Sequence, residues 1–193
     1  MRSDAVKRRE TLVREARRLF AAHGGAVPLE AIAEAGGVGI ATLYRNFESR
    51  QALADAVALA IMTDMRDAAA SALAQMPGDP AAGWRGFVSV LVDLDLGALT
   101  DALAPHVVGA VSGPVREAQQ QTLARVAEVL SLARAAGVVR AELDPLELVL
   151  AIGMLTRPQP AAIRDAAPHL VPRLVAILDA GLHTPPPSIG PAL

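Results

Sequence analysis

Thr42, Tyr44, Ser49, Arg45 and Arg50 place three hydroxyls and two guanidinium groups in one short stretch of chain. Hydroxyls and guanidinium groups are the side chains that hydrogen-bond phosphate oxygens. Ser49, with the amides that follow it, also forms a helix start able to hold an anion. Ile40 and Ala41 precede them and are compact enough to let a backbone approach base edges. Just upstream, Gly36-Gly37-Val38-Gly39 is too short to be anything except a tight turn. The order is therefore a short helix, a glycine turn and a second short helix, the layout in which the second helix enters the major groove of DNA. On geometry alone the same turn could also simply join two packed helices.

Other chemistries find little support. His23, His106, His169 and His183 lack metal-ligand spacing, cysteine is absent, and neither a Gly-x-Ser-x-Gly elbow nor a His-Glu-x-x-His pair occurs. Gly37-Val38-Gly39 lacks the third glycine of a dinucleotide fingerprint and follows a helix instead of a strand. We therefore expect no enzyme, no cofactor and no metal.

The elements that must position these groups are helical. Alanine, leucine and arginine dominate, and apolar residues recur at helical spacing. A first helix over about 4–23 places Leu12, Val13, Ala16, Leu19 and Phe20 on one stripe, with Arg9, Arg14, Arg17 and Arg18 outside it. Pro28 suits the first position of a second helix, which ends by Gly36. A third helix covers 40–46. Ser49 can cap a fourth that runs unbroken to about Gln75, where Met76-Pro77-Gly78-Asp79-Pro80 interrupts the chain.

Further helices are expected from Pro80 to about Leu96, from Leu99 to Val111, from Pro114 to Ala136, from Pro145 to about Thr156 and from Pro168 to Leu182. Asp144-Pro145-Leu146-Glu147 has the form of a capping box. The expected fold is all-α: a three-helix helix-turn-helix domain (1–50), joined by the long fourth helix to a helical effector-binding and dimerisation domain (51–185), with a loose tail at 186–193.

The net charge of −2 conceals an asymmetry: residues 1–50 carry +3 and residues 51–193 carry −5. A basic head on an acidic body suits a phosphate-facing module at the N-terminal end. No apolar run approaches the roughly 18 residues of a membrane span, so we expect a cytoplasmic protein with no membrane partner.

The stretch from Val27 to Phe47, continued by Ser49-Arg50 and Leu53, resembles the DNA-binding domain of tetracycline-repressor-type (TetR) regulators. The resemblance rests on Leu12, Ala16, Leu19-Phe20 and Gly24, on Ile32-Ala33, and on Thr42-Leu43-Tyr44 with Phe47. It implies phosphate contacts from Thr42, Tyr44, Arg45 and Arg50 and base edges facing Ile40 and Ala41. Pro28, Leu29, Gly39 and Asn46 complete the implied DNA-binding set, with Arg2, Lys7, Arg8 and Arg9 able to add backbone contacts. Gly39, Ala41 and Asn46 stand where the family often has serine, glycine and histidine, which bears on which operator is read. The turn at 136–140 and the Asp144-Pro145 helix start resemble the subgroup with an SbtR-like C-terminal domain.

One short recognition helix makes few contacts, so a homodimer on a near-palindromic double-stranded operator is expected, with half-sites about 34 to 36 Å apart or a multiple of that. Leu146, Val149 and Leu150, with Leu170, Leu174, Ile177 and Leu178, are expected to pair with their symmetry mates. For a small apolar effector, Met62, Met65, Trp84, Phe87, Leu91 and Met154 could converge inside the bundle, with His106, Gln119 and Thr122 as polar anchors. Its binding would tilt the fourth helix and release DNA. The alternative is a dimeric helical ligand-binding or interaction protein with weakened DNA binding.

Overall fold

The structure, a computed structural model, describes residues 2–24, 26–94, 96–97, 112–140 and 142–183. Among these residues there are nine α-helices and no strand. Helix α1 (Arg2–His23) buries Leu12, Val13, Ala16 and Phe20. It packs on α2 (Leu29–Ala35) and on α4 (Arg50–Gln75), with α3 (Ile40–Asn46) set against α2. Leu12, Ile32, Leu43 and Leu53 are fully buried, one from each of the four helices.

Local chemistry sets the boundaries. Pro28 is extended at φ −61° and ψ 143°, so it caps α2 from outside and does not open it. Gly37 then takes φ 68°, a left-handed conformation that a side chain disfavours. Its N–H bonds to the carbonyl of Glu34 and that of Val38 to the carbonyl of Ala33, each at 2.9 Å. These two bonds close the helix as a Schellman motif. Gly36 lets the end of α2 pass close to α1, since a Cβ there would lie 2.7 Å from Leu12 Cδ2. The Ser49 hydroxyl accepts the N–H of Ala52 at 3.1 Å and starts α4, which runs through 26 residues as expected.

In the second half, Asp79 caps α5 (Pro80–Asp93) by accepting the N–H of Ala82 at 2.9 Å. This helix stops at Asp93, short of the expected Leu96. The expected helix from Leu99 to Val111 lies outside the described residues. Helix α6 (Gly113–Ala135) ends in a second Schellman turn at Gly137, φ 71°. The capping box of α7 (Pro145–Leu155) is complete: Glu147 N–H donates to Asp144 at 2.8 Å, and Asp144 N–H donates to Glu147 at 2.9 Å. A short exposed helix, α8 (Ala161–Ala166), was not foreseen, since its six residues carry no apolar periodicity. Helix α9 (Leu170–Leu182) closes the described chain.

The broadest interfaces join α4 to α6 and α4 to α5. Trp84, Phe87 and Leu91 of α5 fill the space beside Val126, Val129 and Leu130 of α6 and Leu148 and Ile152 of α7. Gly97 lies flush against the end of α7, its N–H bonded to Thr156 Oγ1 at 3.1 Å; a Cβ there would meet the backbone of Gly153 and Arg157. No helix among the described residues is long and apolar enough to cross a membrane.

Candidate nucleic-acid interface

Two buried anchors hold α3. Leu43 faces inward with no exposure and Phe47 with 2%, so the helix is pinned from its middle and from its C-terminal cap. The opposite face is left to solvent: Ala41, Tyr44 and Arg45 are exposed, Tyr44 to 50%. Ile40, Thr42 and Asn46 are half-buried at its edges, and Gly39, at the N-cap, has open space where a side chain would stand.

The polar side chains of this face are ordered by the helix itself. Arg45 donates from Nε to the carbonyl of Ala41 at 3.2 Å and from Nη2 to Thr42 Oγ1 at 3.0 Å. Asn46 donates to the carbonyl of Thr42 at 2.8 Å. On the inward side, the Arg9 guanidinium of α1 sits 4.6 Å from the centroid of Phe47. The face thus presents a phenol, a hydroxyl, an amide and a guanidinium group, the inventory needed to bond phosphate oxygens and base edges.

Two expected contacts are placed elsewhere. Arg50 turns inward: its Nη2 donates to the carbonyl of Val27 at 2.6 Å, and its guanidinium lies 5.9 Å from the Phe20 ring centroid. It braces the start of α4 against the loop before α2, a task its charge did not advertise. Leu29 is 8% exposed and belongs to the core, as the first residue of a helix whose apolar stripe faces α1. Pro28 beside it is exposed.

The residues expected to gather round an effector are mostly packed against each other. Trp84, Phe87, Leu91, Met65 and Thr122 are buried, while Met62 and Gln119 are half-buried. Met154 points the other way, 71% exposed, because α7 turns Leu148 and Ile152 inward instead. His106 lies outside the described residues. Clefts on the described surface include one of about 510 Å³ beside Leu130, Arg134, Leu143 and Pro145, one of about 410 Å³ between α1 and α4, and one of about 340 Å³ between α5 and α9. None of these three is lined by the expected effector residues.

Of the seven residues expected at a two-fold interface, Leu146, Leu150, Leu170 and Ile177 are exposed and Val149, Leu174 and Leu178 half-buried. They lie on α7 and α9, which pack together.

Residues 12–57 match the bacterial regulatory proteins of the tetR family. These are the residues of α1 to α4 that build and aim the exposed face of α3. The DNA-binding part of the chain, over residues 12–57, is similar to that of the TetR family. A TetR transcriptional regulator of Streptomyces coelicolor is 28% identical over 90% of this chain and 97% of its own, with a TM-score of 0.61. A TetR transcription regulatory protein of Mycobacterium vanbaalenii is 29% identical, over 95% of this chain and 99% of its own, at a TM-score of 0.58. The fold is also that of the TetR-like regulator LfrR of Mycobacterium smegmatis, at 19% identity, 95% and 99% coverage and a TM-score of 0.67. None of the curated proteins matches the chain in sequence. The matched stretch holds the helix-turn-helix on α2 and α3, and α4 leads from there into the helical remainder.

Proposed function

We propose that this regulator is a cytoplasmic repressor that grips a near-palindromic operator as a homodimer and lets go when a small apolar effector binds. Its working division is a DNA-binding part at 1–50 and an effector-binding and dimerisation part at 51–185. The observation that carries the DNA half is the exposure of Ala41, Tyr44 and Arg45 on a helix whose other side is sealed by Leu43 and Phe47. Tyr44 and Arg45 take phosphates, Thr42 holds Arg45 in place, and Ala41 with Ile40 meets the bases. Pro28, Gly39 and Asn46 line the same approach.

The dimer half is supported by the apolar residues left bare on α7 and α9, Leu146, Leu150, Leu170 and Ile177 among them. A two-fold pairing of these helices buries that surface and sets two recognition helices side by side. The effector half draws on fold kinship with LfrR, whose structure is a complex with proflavine.

The test is fluorescence anisotropy on a DNA fragment from the promoter of its own gene, at several salt concentrations. Specific binding whose log affinity falls linearly with log salt is expected. Tyr44→Ala should weaken binding on every sequence, whereas Ala41→Ser should change which sequence is preferred. Equal, weak binding to all DNA would sink the reading.

A further inference from the structure

Arg66 is a half-buried cation on α4 whose hydrogen bonds all go to neutral acceptors. Nη1 donates to Thr122 Oγ1 at 3.1 Å and to the carbonyl of Ala118 at 3.5 Å, both on α6, and Nη2 donates to Thr63 Oγ1 at 3.0 Å. Among the described residues no carboxylate is paired with it. The other arginines nearby are engaged: Arg17 with Asp64, Arg14 with Glu15, and Arg9 over Phe47. A half-buried guanidinium bonded only to neutral acceptors can exchange one of them for an anion, because charge-assisted hydrogen bonds are roughly twice as strong as those to neutral partners.

Thr63, the acceptor on the solvent side of this fork, also lines the cleft of about 410 Å³ between α1 and α4. The same cleft has an apolar floor of Val13, Ala56, Leu59 and Ala60, and its walls carry Arg9, Arg14 and Arg17 against Glu10 and Asp64. The volume lies within the range of small-molecule sites. Its charge is net positive before Arg66 is counted. An apolar trough, cationic walls and, one hydrogen bond behind the lining residue Thr63, the guanidinium of Arg66 together describe a single kind of occupant.

We propose that the α1–α4 groove binds a straight-chain anionic amphiphile, such as an alkanoate monomer. Its carboxylate takes Nη2 of Arg66 from Thr63, and its chain lies on Val13, Ala56, Leu59 and Ala60. This site is separate from the residues proposed to meet the interior effector and stands or falls independently of operator binding. It would bear directly on the DNA-binding domain, since one wall of the groove is α1.

The experiment is thermal unfolding of the full chain with n-alkanoates from hexanoate to dodecanoate below their micellar concentrations, with alkanols and alkylamines of equal length as head-group controls. Wild type should gain several degrees with the longer alkanoates at saturation and little with either control. Arg66→Gln and the groove-filling Ala60→Phe should each abolish the gain, and Arg66→Lys should keep part of it. Thr63→Val removes the competing acceptor and should tighten binding, an outcome that misfolding cannot imitate. Alkanols acting as well as alkanoates, no alkanoate acting at all, or an undiminished gain in Arg66→Gln would each overturn the proposal.

Discussion

The indole N–H of Trp84 donates to Oδ1 of Asp179 at 2.9 Å, fastening the fully buried ring of α5 to the last turns of α9. Nearby, His183 bonds to the carbonyl of Val138, and Arg140 N–H donates to the carbonyl of Leu182 at 2.8 Å. Asp179→Ala strands a buried N–H, which costs about 1–3 kcal/mol, whereas Asp179→Asn keeps an acceptor and should cost less. Urea unfolding followed by fluorescence checks this, since Trp84 is the chain's one tryptophan.

Arg50 and Tyr44 should separate stability from DNA affinity. Arg50→Ala loses the bond to the Val27 carbonyl and the contact over Phe20, so it should lower stability by about 1–3 kcal/mol. Tyr44→Ala removes an exposed ring from a surface and should leave stability within about 0.5 kcal/mol while weakening DNA binding. Thermal unfolding and anisotropy on the same two variants decide it. A stable Arg50→Ala with lost DNA binding would return Arg50 to the phosphate-contacting set.

Ile177→Asp places a carboxylate at the centre of the proposed two-fold face. Sedimentation should show the wild type as a dimer and the variant as a monomer with its helical content retained. A monomeric wild type would leave the bare leucines of α7 without a role.

Glu15 titrates below the ordinary carboxylate range, chiefly because Arg18 Nε donates to it at 2.9 Å, with Arg14 adding a weaker bond. A pKa depressed in the folded state contributes stability that is complete above the unfolded value and disappears as pH falls through the folded one. The groups lie near the surface, so the contribution is below about 1 kcal/mol. Glu15→Gln should therefore be slightly less stable than wild type at neutral pH, and the two should converge at low pH. A difference that persists at low pH would trace to something other than charge.

Which parts of this architecture could be read from the residues follows from what produces them. Helix starts with a chemical mark were legible: Ser49, Asp79 and Asp144 cap where expected because their oxygens accept a local N–H, and Gly37 and Gly137 stop helices because they take positive φ. The polar side of α3 was legible from the phenol of Tyr44 and the guanidinium of Arg45, both of which are exposed. Partner choice across the fold left no such mark. Nothing in the order of residues distinguishes the Arg50 that reaches Val27, 23 positions away, from the Arg45 that stays on its own helix. Met154 was misplaced because α7 is apolar on every side, so its sequence holds no sign of which side meets the core. Helix α8 is too short for periodicity to register.

Helix α4 spans 26 residues without a break. At about 1.5 Å per residue it is a rod on the order of 39 Å long. Pivoting it by about 5° at Gln75 swings Ser49 through roughly 3 Å, close to the rise of one base step along a DNA strand, about 3.4 Å. A displacement too small to disturb the packing around Trp84 is thus amplified at the far tip into a full misregister between α3 and the bases it would face.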